Sequence, residues 1–179
     1  YKRCIIQDGI ITKETYKSLF NFDYEYGISR DCLDRLMLKH SQALGTKIAW
    51  GTRCCVIERK TEHYVINGEI CANKIVLACG AQGNRRLGIE IPGDVAAGMS
   101  SRIRGNCCFD DDAFTFVYEP QYGHGYAWAF PVSKDIWNVG VWSSDKKNIR
   151  ELYTMFEKQV FGRGAFTYDR KPKGAVIGA

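Results

Sequence analysis

The sequence contains no apolar run close to the length of about 20 residues that an α-helix needs to cross a bilayer. Its first residues, YKRCIIQDG, also lack the apolar core of a secretory signal peptide. We therefore expect a soluble, cytoplasmic protein whose contact with membrane lipids is at most peripheral. With 179 residues, of which 45% are hydrophobic, the chain is long enough for one sizeable core and one small extra lobe.

Charge of one sign is not concentrated in the sequence. The 25 basic and 20 acidic residues give a net charge of +5, and the basic residues are scattered apart from short clusters such as Arg85-Arg86 and residues 170–173. Nucleic-acid-binding proteins gather Lys and Arg on one face or stripe. We therefore expect no nucleic-acid partner, and the sequence leaves the oligomeric state open.

The eight cysteines include no CxxC pair. Two adjacent pairs, Cys54-Cys55 and Cys107-Cys108, fall within predicted strands, where neighbouring side chains point to opposite faces and do not easily bind one metal ion together. The pattern favours cysteines that act as small apolar residues in a reducing compartment. We predict no metal site, and a cysteine-rich structural metal protein is an alternative that zinc analysis would test.

Two helices are predicted in the first part of the chain. Thr12 is a suitable cap for a short helix over residues 12–20. Ser29 is a good N-cap for a longer helix, whose apolar residues recur at steps of three and four until Gly45. His40 lies on or near the apolar stripe of that helix, and we interpret it as a core or boundary residue rather than a ligand.

The hydrophobic period changes to two from residue 47 onwards. Alternating segments over residues 47–73, with an Asn67-Gly68 turn, predict an antiparallel meander of three strands. Residues 74–79, KIVLAC, then form an apolar run that Gly80 closes. Such a run is typical of a strand buried on both faces, as in the parallel sheet of an α/β layer.

A second β region follows. Strands are predicted over residues 99–108, 113–119, 125–132 and 136–143, and their short links favour one antiparallel sheet. An amphipathic helix is predicted over residues 147–161. The expected fold class is α/β with α+β character, in which a partial nucleotide-binding layer with a β-meander is joined to an antiparallel sheet that covers a ligand.

Aromatic residues alternate in the stretch GYAWAFP. Tyr126, Trp128 and Phe130 therefore share one face of their strand, and the small Ala127 and Ala129 share the other. An aromatic face of this size either closes a core or forms an apolar wall over a ligand such as a prenyl chain. The sequence leaves both interpretations open, and the two alanines suit a face on which another layer packs closely.

The sequence resembles the geranylgeranyl reductase family of FAD-dependent oxidoreductases, which are relatives of p-hydroxybenzoate hydroxylase. The resemblance covers most of the chain. It is carried by the helix that starts at Arg30-Asp31 and ends at Gly45, by residues 74–86, by Tyr126-x-Trp128-x-Phe130-Pro131 with the Asn138-Val139-Gly140 that follows, and by residues 172–179.

The resemblance implies an FAD cofactor and residues that would contact it. Arg30, at the start of its helix, would reach a phosphate of the dinucleotide, for which the guanidinium fork is suited. Arg53 would lie near the adenine. Cys79 and Gly80 would lie in the turn next to the flavin diphosphate.

The resemblance also implies a reaction and a substrate. Hydride would pass from the reduced flavin to an alkene of a prenyl or similar apolar substrate, with NAD(P)H or ferredoxin as electron donor. Tyr126, Trp128 and Phe130 would line the substrate site. Cys4, which follows Lys2 and Arg3, would be a catalytic thiol close to the flavin, since neighbouring positive charge favours the thiolate.

Several family features differ in this chain. Cys79 stands where the family has aspartate, Gly83 where it usually has serine, and Trp142 where a second glycine is common. No GxGxxG is present, although this motif lets a helix N-terminus approach the pyrophosphate. We therefore expect the central portion of a larger flavoprotein that is inactive in isolation.

The expected division is a partial FAD-binding domain over residues 1–95 and an antiparallel substrate-binding sheet with a following helix over residues 96–179. Two alternatives to the reductase remain. One is a flavin hydroxylase or halogenase of the same superfold. The other is a non-catalytic module that binds an apolar ligand and has lost flavin binding.

Overall fold

The computed structural model describes residues 2–14, 27–89, 95–145, 147–162 and 164–178. Residues 1–27 and 93–179 form one compact unit, and residues 28–92 form a second. In the described parts of the chain, no helix has both the length and the apolar character that membrane crossing requires. In chain order the elements are β1 (Lys2–Gln7), β2 (Ile10–Glu14), α1 (Arg30–Ala43), β3 (Ile57–Arg59), β4 (Tyr64–Ile66), β5 (Ile70–Ala72), α2 (Gly80–Arg86), β6 (Val95–Arg104), β7 (Ala113–Tyr118), β8 (Tyr126–Ser133), β9 (Ile136–Ser143), α3 (Ile149–Phe161) and β10 (Thr167–Gly178).

The larger unit is built on one seven-stranded sheet with the order β10-β6-β9-β8-β7-β1-β2. Strands β1 and β7 are parallel, and the other neighbours are antiparallel. The predicted α/β class with α+β character is confirmed, although the large sheet is mixed rather than purely antiparallel. The first two strands, which the sequence analysis grouped with residues 28–95, pair within this sheet. The assignment of residues 1–95 to a flavin-binding domain stays a prediction.

The predicted helix over residues 12–20 is wrong at its start, because Thr12 lies within strand β2. Strands β1 and β2 form a hairpin whose turn is Asp8-Gly9, and both turn residues have positive φ, 49° and 75°. Asp-Gly between apolar runs is a strong hairpin signal that the sequence analysis did not use. Residues 15–20 of the predicted helix lie outside the described residues.

The four predicted strands of the second β region are confirmed with changes at their ends. Strand β6 ends at Arg104, so Cys107 and Cys108 lie in the connection after it rather than in a strand. There the Cys108 backbone N donates a hydrogen bond to the Val160 carbonyl of α3 at 3.0 Å. The long strand β10, which pairs with β6, was not predicted.

The core of the larger unit lies between one face of the sheet and helix α3, which confirms the predicted helix. Ala127 and Ala129 are fully buried on this face, and their small size lets α3 approach closely. Phe156 of α3 is fully buried, which contributes about 1.5–3 kcal/mol for a side chain of this kind. The core also contains Ile103, Val117, Tyr122, Trp137, Val139, Val141, Leu152, Tyr153, Val160 and Phe161.

A buried carboxylate joins α3 to strand β10. Glu157 accepts a hydrogen bond from the Tyr153 hydroxyl at 2.7 Å and from the Tyr168 hydroxyl at 2.8 Å. Tyr153 also contacts the hydroxyl of Ser101 on β6. Because charge-assisted hydrogen bonds are the stronger kind, this network fixes the position of the helix on the sheet.

In the smaller unit, helix α1 begins and ends as predicted. The Ser29 hydroxyl accepts a hydrogen bond from the Cys32 backbone N at 3.3 Å, and Gly45 has a left-handed φ of 91° after the last turn. None of the residues of α1 is buried. His40 is exposed, so its interpretation as a core or boundary residue is wrong.

The predicted three-stranded meander is confirmed as β3, β4 and β5, with strands of only three residues each. Its first predicted segment, residues 47–50, is not in a strand. Asn67, at the predicted turn, has a φ of 53° and accepts hydrogen bonds from the backbone N atoms of Cys55 (2.8 Å) and Val56 (3.2 Å). The Asn67 side chain therefore satisfies backbone groups that a longer strand would have paired.

The predicted buried strand over residues 74–79 is wrong. Residues 74–78 have no regular structure, and 89% of Val76 is exposed. A strand buried on both faces needs hydrogen-bonding neighbours, whereas the sheet described within residues 28–92 is the meander alone. Residues 80–86, expected as a loop, form the short helix α2.

Candidate functional site

The aromatic residues of strand β8 lie on the sheet face opposite α3. Tyr126, Trp128 and Phe130 are half-buried, whereas Ala127 and Ala129 between them are buried under the helix. The alternation predicted from the sequence is thus confirmed, and it is the alanine side that closes the core. We call the opposite side the aromatic face; its rings are Phe114, Phe116, Tyr118, Tyr126, Trp128, Phe130 and Trp142.

The rings of the aromatic face contact one another across three strands. The Phe130 ring centroid lies 5.0 Å from that of Phe114 and 5.0 Å from that of Phe116. Tyr126 lies 5.4 Å from Tyr118 and 5.9 Å from Trp142. These tilted and edge-on arrangements are the favourable ones for aromatic pairs. The rings therefore form one continuous apolar wall.

Two residues of β9 fix the position of Trp128. Its indole Nε1 donates a hydrogen bond to Asn138 Oδ1 at 2.8 Å. Gly140 lies opposite Trp128, and a Cβ at that position would come within 2.1 Å of the ring. The Asn138-Val139-Gly140 segment that contributed to the resemblance thus has a physical role, because it gives the indole a hydrogen-bond acceptor and room over the strand.

Neighbouring strands contribute to this face in a way that was not predicted from the sequence. Phe114, Phe116 and Tyr118 alternate in the segment AFTFVY, which is the same signal as in β8. Trp142 was noted only as a departure from the family pattern. The local pattern shows that such residues share a face of their own strand, but strand pairing decides which faces coincide.

The aromatic face has a cation, Arg3, beside it and contains a tyrosine, Tyr126, whose pKa is raised. The Arg3 guanidinium lies 5.8 Å from the centroid of the Phe116 ring, within the range of a cation–π interaction. Burial raises the pKa of the Tyr126 hydroxyl, and the neighbouring Tyr118 adds to the effect. Tyr126 therefore keeps its proton to higher pH than an ordinary tyrosine does.

Cys4 is not brought together with the aromatic residues. It lies in β1 opposite Thr115 of β7, and only 6% of it is exposed. Its neighbours in the chain, Arg3 and Ile5, pair with Phe114 and Phe116 of the aromatic face, so Cys4 points to the other face. A catalytic role of Cys4 stays a prediction.

The residues predicted to hold FAD all lie in the smaller unit. The guanidinium of Arg30 forms an ion pair with Asp34 at 3.0 Å, one turn along α1, and 81% of the Arg30 side chain is exposed. Arg53 is exposed in a segment without regular structure, where its carbonyl accepts a hydrogen bond from Asn67 Nδ2 at 2.7 Å. The Arg53 backbone is therefore held while its side chain faces solvent.

Cys79 and Gly80 lie at the start of α2. The Cys79 thiol donates a hydrogen bond to Asn84 Oδ1 at 2.9 Å, and Gly80 has a left-handed φ of 71°. A Cβ at Gly83 would come within 2.9 Å of the Cys79 sulfur. The two departures from the family turn, Cys79 and Gly83, are therefore sterically matched, because the absence of a side chain at Gly83 makes room for the thiol.

No family model matches this sequence, and no similar curated protein is found. The fold does match solved structures. A geranylgeranyl bacteriochlorophyll reductase-like protein from Thermoplasma acidophilum has a TM-score of 0.69 and 16% identity, over 99% of this chain and 49% of that one.

Two flavin-dependent halogenating enzymes have similar scores. The flavin-dependent halogenase CmlS has a TM-score of 0.68 and 15% identity, over 98% of this chain and 37% of its own. The flavin-dependent brominase Bmp2 has a TM-score of 0.68 and 13% identity, over 98% of this chain and 49% of its own. The chain thus spans about half or less of the length of these proteins. It shares the fold of the matched part of these proteins, and this agrees with the fold that the resemblance predicted.

Proposed function

We propose that this chain is part of an FAD-dependent oxidoreductase that reduces an alkene of a prenyl or similar apolar substrate. The observation that supports this proposal best is the aromatic face, a continuous apolar wall on the side of the sheet that α3 leaves open. Apolar ligands bind to surfaces of this kind, with a few polar groups that fix their orientation. The peripheral lipid contact predicted from the sequence is compatible with such a substrate.

Among the residues predicted to contact FAD, Arg30 is the one whose surroundings suit a phosphate of the cofactor. Arg30 is a cation at the start of a 14-residue helix, and its ion pair with Asp34 is exposed, so the pair stabilises little and the guanidinium can turn to a phosphate. Arg53, Cys79 and Gly80 are assigned by the resemblance alone. Bound FAD would supply the hydride chemistry, with NAD(P)H or ferredoxin as the proposed source of electrons.

The residues of the aromatic face would bind and orient the substrate. Trp128, held by Asn138 and by the space at Gly140, gives the wall a fixed shape. A preorganised apolar wall excludes water and holds an alkene in one orientation, which is the contribution that a protein makes to cofactor chemistry. The Tyr126 hydroxyl, whose pKa is raised, keeps its proton in this environment.

A halogenase or hydroxylase is the second candidate function. The observation in its favour is that two halogenating enzymes match the fold about as well as the reductase-like protein does. Fold alone does not choose between these chemistries. In a third possibility, the aromatic face binds an apolar ligand without catalysis.

The first experiment is a titration of the chain with FAD, followed by flavin fluorescence, and a separate titration with geranylgeraniol, followed by tryptophan fluorescence. We expect Arg30→Gln to weaken FAD binding, and Arg35→Gln on the same exposed helix is the matched control. We expect Phe130→Ser to weaken binding of the prenyl alcohol, and Trp50→Ser, at an exposed position of the smaller unit, is the control.

Mass spectrometry then separates the candidate reactions. With chemically reduced FAD and no oxygen, a gain of two hydrogen atoms by the prenyl alcohol supports the reductase. Halide incorporation or oxygenation in air supports the second candidate. Binding of the prenyl alcohol without FAD binding supports the non-catalytic module, and binding of neither ligand contradicts the proposed function.

A further inference from the structure

A basic cleft lies on the same side of the sheet as the aromatic face. It has a volume of about 490 Å³ and is lined by Ser100, Ser101, Arg102, Asn138, Arg170, Lys171 and Lys173. Four of these side chains are cationic, and none of the lining residues in the described part of the chain is acidic. These residues come from three strands, β6, β9 and β10, that are far apart in the sequence.

Strand register shows that the cleft adjoins the aromatic face. Trp128 pairs with Gly140, Gly140 with Ser100, and Ser100 with Lys173, in one row across four strands. Directly paired residues share a face of the sheet. The row therefore runs from an aromatic side chain to a cationic one on a single surface.

A second row runs beside the first. Phe130 pairs with Asn138, Asn138 with Arg102, and Arg102 with Arg170. Asn138, which accepts the Trp128 indole hydrogen bond, also lines the cleft and so marks the boundary between the aromatic and basic halves. The surface is amphipathic, with an apolar wall at one end and cations at the other.

Two arginines of the cleft come from the neighbouring strands β6 and β10. Arg102 and Arg170 lie directly opposite each other on neighbouring strands, and both line the cleft. The register of β10 shifts on both sides of Arg170, and such irregularities are common beside functional sites.

Arg102 also has an unused hydrogen-bond donor. Its side chain is 23% exposed and lies 3.7 Å from Asp169, which is a long ion pair. Its Nε is buried and has no hydrogen-bond partner among the described residues. A buried donor without a partner is unfavourable, so the site gains from a ligand oxygen that completes the guanidinium fork.

We infer that this cleft binds a phosphoryl group. Four cations suit an anion with more than one negative charge, and paired arginines suit phosphate oxygens in particular. Two sources supply such a group, a free phosphate and the head of an amphipathic ligand whose apolar part lies on the aromatic face. The amphipathic form rests on the proposed function, whereas the anion site itself does not.

The test is calorimetric titration of the purified chain with octyl phosphate, inorganic phosphate and octanol, in the absence of FAD. We expect octyl phosphate to bind more weakly as salt is added, because ionic contacts are screened. Arg102→Gln and Lys173→Gln should each weaken binding roughly tenfold. Lys158→Gln removes the same charge from the exposed side of α3 and should leave the affinity unchanged.

The outcomes separate the two sources of the phosphoryl group. Tighter binding of octyl phosphate than of inorganic phosphate supports an amphipathic ligand, and equal affinities support a free phosphate. Unchanged affinity in both Arg102→Gln and Lys173→Gln, or octanol binding as tightly as octyl phosphate, overturns the anion site. Lys173 is exposed, so its variant tests the site even if Arg102→Gln does not fold.

Failure of the proposed function would look different. If phosphate binds through Arg102 but neither FAD nor geranylgeraniol binds, the anion site stands and the flavoenzyme proposal fails. If FAD and geranylgeraniol bind and phosphate does not, the flavoenzyme proposal stands and the anion site fails.

Discussion

Gly140 lies opposite Trp128 on the neighbouring strand, and a Cβ at Gly140 would come within 2.1 Å of the Trp128 ring. The absence of one side chain thus sets the position of another. The same indole donates a hydrogen bond to Asn138, two residues before this glycine. One short segment of β9 therefore shapes the centre of the aromatic face.

Gly140→Ala is expected to displace the Trp128 ring. Overpacking of this kind costs about 1–3 kcal/mol, because neither the strand nor the ring can move freely. Urea unfolding should show the loss of stability, near-ultraviolet circular dichroism should report the displaced indole, and geranylgeraniol should bind more weakly. Gly174→Ala is the matched control, since the nearest side-chain atom there is the end of Met99 at 3.4 Å. Equal effects of the two substitutions would contradict this account.

Glu157→Ala is expected to destabilise the larger unit by about 2 kcal/mol or more. The substitution removes the carboxylate that accepts from the Tyr153 and Tyr168 hydroxyl groups, and the buried Tyr153 hydroxyl is left with the neutral Ser101 hydroxyl as its partner. Urea unfolding is again the measurement. Glu151→Ala, at an exposed position of the same helix, should cost less than about 1 kcal/mol. A small effect at Glu157 would show that the network does not hold α3 in place.

Stability is expected to fall in alkaline solution through Tyr168. Burial, followed by the hydrogen bond to Glu157, raises the pKa of Tyr168 to about 12 from its ordinary value of 10.0. The unfolded chain then loses this proton before the folded one, so the stabilisation is complete below pH 10 and is lost as the pH rises towards 12.

The Tyr168 titration can be followed by phenolate absorbance of the folded chain, with Tyr168→Phe to assign the signal. Glu157→Gln removes the carboxylate charge and should lower the pKa of Tyr168 towards its ordinary value. An identical Tyr168 titration in the unchanged chain and in Glu157→Gln would mean that the carboxylate does not raise the pKa of Tyr168.

Cys108 is expected to react faster with iodoacetamide than an ordinary thiol at neutral pH. A hydrogen bond from Cys107 lowers the pKa of Cys108 to about 7, and the same interaction raises the pKa of Cys107. Cys108 is exposed and its thiolate is the reactive form. Mass spectrometry of peptides alkylated over a range of pH gives the profile.

Cys107→Ala is the control for this prediction. It removes the donor, so the midpoint of the Cys108 alkylation profile should move to higher pH. An unchanged midpoint would show that Cys107 does not stabilise the thiolate.

Asn67→Ala is expected to destabilise the smaller unit by about 1–2 kcal/mol. The substitution removes bonds from Asn67 to the backbone of Arg53, Cys55 and Val56, and places alanine at a positive φ. Asn67→Gly removes the same bonds without the backbone strain, so the difference between the two variants measures the strain. Hydrogen exchange at Cys55 should increase in both, and protection equal to that of the unchanged chain would rule out the proposed role of Asn67.

Local patterns were sufficient for several elements. The cap at Ser29 placed the start of α1, Asn67-Gly68 placed a hairpin turn, and alternation in β8 assigned its two faces. Each of these depends on residues within a few positions of one another. The run over residues 74–79 failed for the opposite reason, because a buried strand depends on neighbours that the local pattern does not specify.

The sequence by itself determined which side chains of a strand share a face, where the Asn67-Gly68 turn lies and that α1 and α3 form, because these follow from backbone periodicity and turn chemistry. Tertiary structure alone decided that α3 covers the alanine side of β8, that β1 runs parallel to β7, and that Cys4 points away from the aromatic face. It also brought Arg102, Asn138 and Lys173 into one cleft. Strand pairing joins residues that are distant in the chain, and each strand's own pattern is compatible with several partners.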